Sequence, residues 1–199
     1  MSVIDTLIFD RTEEDVQRVY ELKRRILTSG TFTALTPEEQ AEWLAGMKGA
    51  YNAVDMNRVG QAVAYLAGRF TALPGELAEH REELGVADAK LYHVPYDSSS
   101  VVVTAKQDWQ IGQKPTKTEV TAYLADLSTL RRQLPLPPDA PEVPTIANMD
   151  NFQVEHANNI EYLLYLVNQA LESVQADLYS KIDRTAAAFR YINTFHSGQ

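Results

Sequence analysis

Apolar residues recur at intervals of three and four along most of the chain, which is the spacing that buries one face of an α-helix. Capping and turn residues divide the pattern into stretches, as where Thr36-Pro37 supplies a capping hydroxyl and a proline at the first helical position. Helices are predicted over 12–27, from Thr36, from Asp55 to Pro74-Gly75, over 116–134 and from about 151 onward. A short, charged helix is expected over 76–84. The sequence therefore predicts a mainly α protein.

The second half of the chain repeats the pattern of the first. Residues 51–59 (YNAVDMNRV) return as residues 152–160 (FQVEHANNI), each leading into an apolar helix. A weaker echo pairs Thr12-x-x-Asp15-Val16 with Thr116-x-x-Glu119-Val120. These echoes predict two related helix-pair repeats, the first over residues 1–88 and the second over residues 114–199.

The period changes between the two predicted repeats, over residues 89–113. Residues 91–94 and 101–104 are rich in β-branched and aromatic side chains, and the polar residues 95–100 separate them. This pattern predicts a β-hairpin insertion. An isolated hairpin is marginal in water, so we expect it to pack on the helices or to pair with another chain.

Two features distinguish the second predicted repeat. Residues 135–144 contain five prolines and predict a stiff, extended strap that crosses a partner or its own domain. The long C-terminal helix then carries apolar residues at alternating spacings of four and three: Ile160, Leu164, Val167, Leu171, Val174 and Leu178. This heptad rhythm is compatible with packing inside the same bundle and with self-association through a coiled coil.

Composition narrows the function classes. The 199 residues are 45% hydrophobic and 23% charged, as in a globular protein, and carry a formal net charge of −9. An acidic surface disfavours nucleic acid and anionic membranes as partners. There is no cysteine, which excludes disulfides and thiolate metal sites. No secretory signal or apolar span of membrane length is found, so we expect a soluble protein made in a cytoplasm.

The residues that could carry chemistry form no recognisable site. No histidine has a second ligand at a metal spacing, and we expect surface or cap positions for all four: His80, His93, His156 and His196. The carboxylate pairs Glu38-Glu39 and Glu82-Glu83 lie in charged helical turns. No phosphate loop is present, and residues 98–100 (SSS) form a loop tip rather than a nucleophile turn. No catalytic, cofactor-binding or metal-binding residue is predicted, and no cofactor.

Four polar and aromatic residues stand out as structural candidates. Asn57 and Asn158 each fall in the first turns of a predicted helix, where asparagine is a poor helix former. A side-chain hydrogen bond to backbone or to the facing helix would compensate, so we interpret both as polar clamps rather than ligand contacts. Trp43 and Trp109 are interpreted as core anchors in preference to a sugar platform.

Several of these segments together resemble a known class of proteins. Residues 35–44 (LTPEEQAEWL), 48–52 (KGAYN) and 55–59 (DMNRV) resemble small structural proteins in tail gene clusters of phages and prophages of Gram-positive bacteria. In the second half the resemblance continues through Trp109, the helix start at Pro115-Thr116, the proline strap and residues 157–161 (ANNIE). It covers most of the chain and lies in pattern more than in a diagnostic site.

The resemblance implies a non-enzymatic virion component of the distal tail, such as a baseplate, fibre or fibre-adaptor protein. It implies assembly in several copies, as a homo-oligomer and with other tail subunits, and a final location in the virion. One alternative is a module that binds a host-surface saccharide through loop residues 96–100 and Trp109. Another is a cell-wall-degrading enzyme, which would need a cleft that gathers carboxylates from the regions of Glu38 and Glu82.

Overall fold

The computed structural model of the protein describes residues 2–86, 92–147 and 149–196. Within those ranges it contains five α-helices, four short 3₁₀ turns and no β-strand. The helices are α1 (Glu13–Ser29), α2 (Pro37–Ala45), α3 (Ala53–Glu83), α4 (Lys117–Arg131) and α5 (Val154–His196). The 3₁₀ turns span Val3–Thr6, Phe32–Ala34, Ser98–Ser100 and Met149–Asn151. The predicted mainly α class is confirmed.

The main core lies between α3, α4 and α5. Its largest fully buried side chains come from all three helices and include Leu66, Phe70, Leu127, Leu130, Leu164 and Leu171. Contacts between α3 and α5 advance in step along both helices, so these two neighbours run in the same direction. The contacting pairs, in chain order, are Arg58 with Glu161, Arg69 with Gln175 and His80 with Asp183.

The heptad rhythm of α5 serves packing within the chain. Five of the six seam residues are buried in the main core, and Val174 packs against it. The buried five are Ile160, Leu164, Val167, Leu171 and Leu178. The interpretation of α5 as a long amphipathic helix on its own bundle is therefore confirmed, because this seam is already covered by α3 and α4.

Helix α3 continues through Pro74-Gly75, so the predicted break there is wrong. Proline lacks the N–H that would bond the carbonyl four residues earlier, which normally ends or kinks a helix. Here the carbonyl of Phe70 accepts a hydrogen bond of 3.1 Å from the Tyr96 hydroxyl instead. The Tyr96 ring also packs edge-on against the Phe70 ring, with centroids 4.8 Å apart. The separate helix expected over 76–84 is the last part of α3.

The β-hairpin predicted within residues 89–113 is not formed by the described residues, from 92 onward. Residues 101–104 are free of helix and strand, and their alternating side chains place Val101 and Val103 against the main core while Val102 is exposed. The backbone N–H groups of Thr104 and Ala105 donate to the buried Asp126 carboxylate of α4, at 2.9 and 2.8 Å. The alternation thus reflects packing on helices rather than strand pairing. Leu91, the first residue of the predicted hairpin, lies outside the described residues.

The proline strap crosses its own domain. Leu136 and Val143 pack against the main core, and the Arg131 side chain donates from Nε to the Pro141 carbonyl at 3.2 Å. The strap therefore connects the end of α4 to the start of α5 along the surface of the bundle.

Helices α1 and α2 form a separate helical arm with a small core of its own. Leu22, Leu35 and Met47 are its buried residues, and Trp43 packs against them. Helix α3 does not join this arm but shares the main core with α4 and α5. The short helix α2, which follows α1, has no counterpart between α4 and α5. This arrangement gives no support to two alike helix pairs.

Candidate functional site

An open cleft of about 660 Å³ lies where the arm meets the main core. It is lined by α1, by the loop before α3 and the first turn of that helix, by residues 109–115, and by residues 150–157, which lead into α5. Representative side chains from these parts are Val19, Met56, Trp109 and Phe152. The lining is thus assembled from segments that are far apart in the sequence. The cleft keeps its shape only if these segments are held in place relative to one another.

The two candidate asparagines provide this fixation through matching contacts. Asn57 accepts from the Trp109 N–H at 2.8 Å and donates to the Trp109 carbonyl at 3.1 Å. Asn158 accepts from the Arg11 N–H at 3.0 Å and donates to the Arg11 carbonyl at 2.8 Å. The predicted hydrogen bonds to backbone are therefore present in both cases. The partner is a non-helical segment from the other half of the chain, not the facing helix.

A buried ion cluster lies behind the cleft and was not predicted from the sequence. Arg11 Nη2 lies 3.0 Å from Asp55 Oδ1 and 2.7 Å from Glu161 Oε1. Arg58 Nη2 approaches the same two oxygens at 2.6 and 2.9 Å. Two arginines and two carboxylates balance in charge, as burial requires. Burial alone would lower the pKa of Arg58, but the hydrogen bond and charge of Glu161, joined by Asp55, raise it.

Aromatic side chains connect the cleft to the ion cluster. The Tyr51 ring stacks on Phe152, with centroids 4.5 Å apart, and the Arg11 guanidinium lies 5.4 Å from the centre of the Tyr51 ring. The hydroxyls of Tyr51 and Tyr123 are hydrogen-bonded at 2.5 Å. Burial raises the pKa of both tyrosines, and the nearby charge of Glu161 raises that of Tyr51 further. Both hydroxyls therefore stay protonated at neutral pH.

Trp109 is the one side chain of the cleft with an unmet hydrogen-bonding need among the described residues. Its side chain is buried, with only 4% of the residue exposed, and its indole Nε1 has no hydrogen-bond partner. The Lys106 ammonium lies 4.9 Å from the centre of its ring, within the range of a cation–π contact. A buried N–H without an acceptor is energetically costly.

A second groove of about 520 Å³ continues the cleft toward α2. The two share lining residues, among them Val19 and Lys23. Large apolar side chains stand in solvent along this second groove: Leu44 is 77% exposed, Val54 60% and Ile111 90%. We call the cleft and this groove together the trough. These exposed apolar side chains are therefore gathered at one place on the surface.

The exposed face of α1 extends the trough with basic and apolar residues at helical spacing. Tyr20, Lys23, Arg24 and Leu27 fall at positions i, i+3, i+4 and i+7, and together they line a further shallow depression. Tyr20 and Leu27 are 60% and 71% exposed. Neither Lys23 nor Arg24 forms an ion pair within the described ranges. This face is thus cationic on a chain whose net charge is −9.

The histidines and carboxylate pairs singled out in the sequence do not come together. His156 accepts from the Gln153 N–H at the start of α5, as a cap residue does, and His80 pairs with Asp183 on the surface. Glu39 pairs with Arg25 on the arm. No group of three His, Cys, Asp or Glu in the described part of the chain could hold a metal ion.

The residues required by the saccharide-binding and enzyme hypotheses also lie apart. Tyr96 contacts Phe70 and Trp109 contacts Asn57, so about 20 Å of helix α3 separates them at 1.5 Å per residue. Neither Glu38 nor Glu82 lines the trough, where Asp150 is the single carboxylate among the residues that the structure describes. Besides apolar surface, the trough presents the cationic side chains of Arg11, Lys23 and Lys114.

Among the described helices, none has an apolar stretch long enough to cross a lipid bilayer. Compared with protein family models, with characterised proteins and with solved structures, the chain matches none of them.

Proposed function

We propose that the chain is a non-enzymatic structural protein of a phage tail, in the baseplate or associated with fibres, and that it assembles in several copies with neighbouring tail subunits. The observation that carries the proposal is the trough with its rim of exposed Leu44, Val54 and Ile111. Large apolar side chains in such a group are costly in solvent and are stabilised when another subunit covers them. The resemblance in sequence pattern supplies the kind of particle.

The frame around the trough supports an assembly role. The two asparagine clamps and the ion cluster hold residues from both halves of the chain in fixed positions. A surface that is already ordered loses little conformational entropy when a partner binds. A scaffold protein benefits from this property, because every copy presents the same surface.

The matching clamps also support a proposal about the origin of the fold. Asn57 and Asn158 occupy equivalent places in the two echoes, and each binds a segment from the opposite half. The equivalent residues Tyr51 and Phe152 stack on each other. We infer that the two helix starts are related to each other, as the echo between residues 51–59 and 152–160 predicts.

Protein composition of purified particles tests the proposed function. Tails purified from induced cells of the bacterium that encodes the chain should contain it in a fixed ratio to the other tail proteins by quantitative mass spectrometry. Antibody labelling in electron micrographs should place it at the distal end. Tails that are complete and infective without the chain would contradict the proposal.

A pair of substitutions tests the surface that carries the proposal. Ile111→Asp, in the trough, should lower the yield of assembled tails in a complementation assay, because a charge replaces an apolar contact. Val102→Asp is the matched control, since Val102 is 76% exposed but lies outside the trough. Equal yields from both variants would count against the trough as an assembly contact.

A further inference from the structure

The trough has a chemistry that selects among protein partners, and we propose that it binds an acidic, amphipathic polypeptide segment of a neighbouring subunit. This inference rests on the proposed function, because it names the partner of the same surface. Three independent observations carry it: the charge of α1, the apolar rim and the unpartnered indole of Trp109.

The charge on α1 is the first observation. Lys23 lines both the cleft and the second groove, and Arg24 follows it on the same exposed face. Neither is neutralised by a carboxylate within residues 2–86, 92–147 or 149–196, although the chain has an excess of nine acidic groups. An unpaired cationic strip on an acidic protein attracts carboxylates from a partner and repels basic segments.

The apolar rim is the second observation. Leu44, Val54 and Ile111 stand on the edges of an open groove instead of enclosing a cavity. Small-molecule sites surround most of their ligand, whereas an open groove with large apolar side chains suits the apolar face of a polypeptide. The partner therefore carries apolar residues on one face and carboxylates beside them.

The indole of Trp109 is the third observation. The indole Nε1 of this cleft residue is buried without an acceptor among the described residues, while the backbone N–H and carbonyl of Trp109 are both bound by the Asn57 side chain. A carboxylate or main-chain carbonyl of the bound segment would supply the missing acceptor. Because the clamp fixes the Trp109 backbone in advance, only the groups that cover the indole need to move for the acceptor to reach it.

The tryptophans also provide a direct readout. The chain has two, and both line the trough: Trp109 in the cleft and Trp43 in the second groove. Intrinsic fluorescence of the full chain therefore reports on the occupancy of this surface.

The experiment uses three synthetic 15-residue peptides as probes. The first has leucine at helical spacing and glutamate elsewhere; the second replaces every glutamate by lysine; the third replaces every leucine by serine. The leucine–glutamate peptide should change the tryptophan emission and bind in a saturable way by fluorescence anisotropy. Its affinity should fall with added salt, because the attraction between surface charges is screened. The other two peptides should not bind measurably.

Variants of the full chain locate the binding. Lys23→Glu with Arg24→Glu should weaken the peptide by about 10-fold, whereas the matched control Arg132→Glu with Arg184→Glu, at exposed sites outside the trough, should leave it unchanged. Ile111→Asp should weaken it similarly. Trp109→Phe, which removes the indole donor but keeps an aromatic ring, should weaken it by about 2- to 10-fold. Unchanged far-ultraviolet circular dichroism checks that each variant is folded.

Three results would overturn the inference: no binding of the leucine–glutamate peptide, equal binding of the lysine peptide, or equal loss in the control variant. Light scattering that showed a dimer dissociated by Ile111→Asp would assign the trough to a second copy of the chain instead. A chain that is present in tails but indifferent to the peptides refutes this inference alone. A chain that binds the peptide but is absent from tails refutes only the proposed function.

Discussion

The two asparagine clamps bind their segments through the same pair of hydrogen bonds. The next turn of each helix, however, contacts the bound segment in a different way. Three residues after Asn57, helix α3 carries Gly60, and the backbone of Lys106 lies directly against it. Three residues after Asn158, helix α5 carries Glu161, whose carboxylate accepts from the Ile8 N–H at 2.7 Å. Ile8 and Lys106 each precede their clamped residue by three, so the two segments run in the same register.

This difference separates two ways of fixing a non-helical segment on a helix. At Gly60 the absence of a side chain lets the two backbones touch, and the contact needs no charge. At Glu161 a carboxylate reaches the segment and also neutralises Arg11 and Arg58. The first solution leaves Trp109 beside the cleft, whereas the second ties the N-terminal segment into the core. Substitutions at Glu161 and Gly60 test whether one segment depends on charge and the other on close backbone contact.

The largest effect is expected from Glu161→Gln. The change leaves Arg11 and Arg58 with Asp55 as their single carboxylate in a buried site, which should lower the free energy of unfolding by about 3 to 5 kcal/mol. Glu155→Gln, at an exposed position in the first turn of the same helix, is the matched control and should change it by less than about 1 kcal/mol, the usual size of a carboxylate's interaction with a helix N-terminus. Urea unfolding followed by circular dichroism measures both. Equal midpoints would mean that the arginines do not depend on Glu161.

Gly60→Ala tests the close backbone contact between α3 and the segment around Lys106. A Cβ at residue 60 would lie 2.1 Å from the Lys106 carbonyl oxygen, so the segment must shift, at a cost of about 1 to 3 kcal/mol. Gly68→Ala, on the same helix with no atom within 4 Å of the added Cβ, should instead stabilise by up to about 1 kcal/mol, because alanine is the better helix former. The opposite signs distinguish close approach from helix propensity. A stabilising Gly60→Ala would show that the segment moves away freely.

The sequence predicted the helices and drew attention to both asparagines, because periodicity and helix propensity are local properties. It did not predict their partners, since the clamped residue lies 52 positions from Asn57 and 147 from Asn158. The same limit explains the wrong break at Pro74, where the compensating hydroxyl comes from Tyr96, and the wrong hairpin, where Asp126 of a later helix binds the backbone. The ion cluster was missed because Glu161 and Arg58 look like ordinary surface residues until Arg11 is placed beside them.

A smaller effect is expected from removing the clamps themselves. Asn57→Ala and Asn158→Ala each leave a backbone N–H and carbonyl without a partner, which should cost about 1 to 3 kcal/mol in unfolding free energy. The two asparagines differ in whether their effect on stability depends on the ion cluster. Asn158 and Glu161 both bind Arg11, so the double variant Asn158→Ala with Glu161→Gln should depart from additivity by at least about 0.5 kcal/mol. An additive double variant would mean that clamp and ion cluster act independently on Arg11.

The smallest effects are expected at the helix starts that follow the clamped segments. Thr12 caps α1 and Thr116 caps α4, and each donates its backbone N–H to a carboxylate three residues later, at 2.8 Å in both cases. These hydrogen bonds are the main reason that the pKa of Asp15 and that of Glu119 lie below their ordinary values. A lowered pKa in the folded state means that the stabilisation is complete above the unfolded pKa, near 4, and is lost as the pH falls through the folded value.

Thr12→Ala separates the effect of the Thr12 backbone N–H on the pKa of Asp15 from the effect of the Thr12 hydroxyl. The substitution removes the cap acceptor, at a cost of about 1 kcal/mol, but retains the N–H that holds the carboxylate. The pKa of Asp15, followed by NMR of its carboxyl carbon, should therefore stay below its ordinary value in Thr12→Ala, and that of Glu119 should do the same in Thr116→Ala. A return of Asp15 alone to its ordinary pKa would mean that the Thr12 hydroxyl, not the backbone N–H, lowers the pKa of Asp15. The starts of α1 and α4 would then differ in how they bind their carboxylates, just as the two clamped segments differ in their contacts.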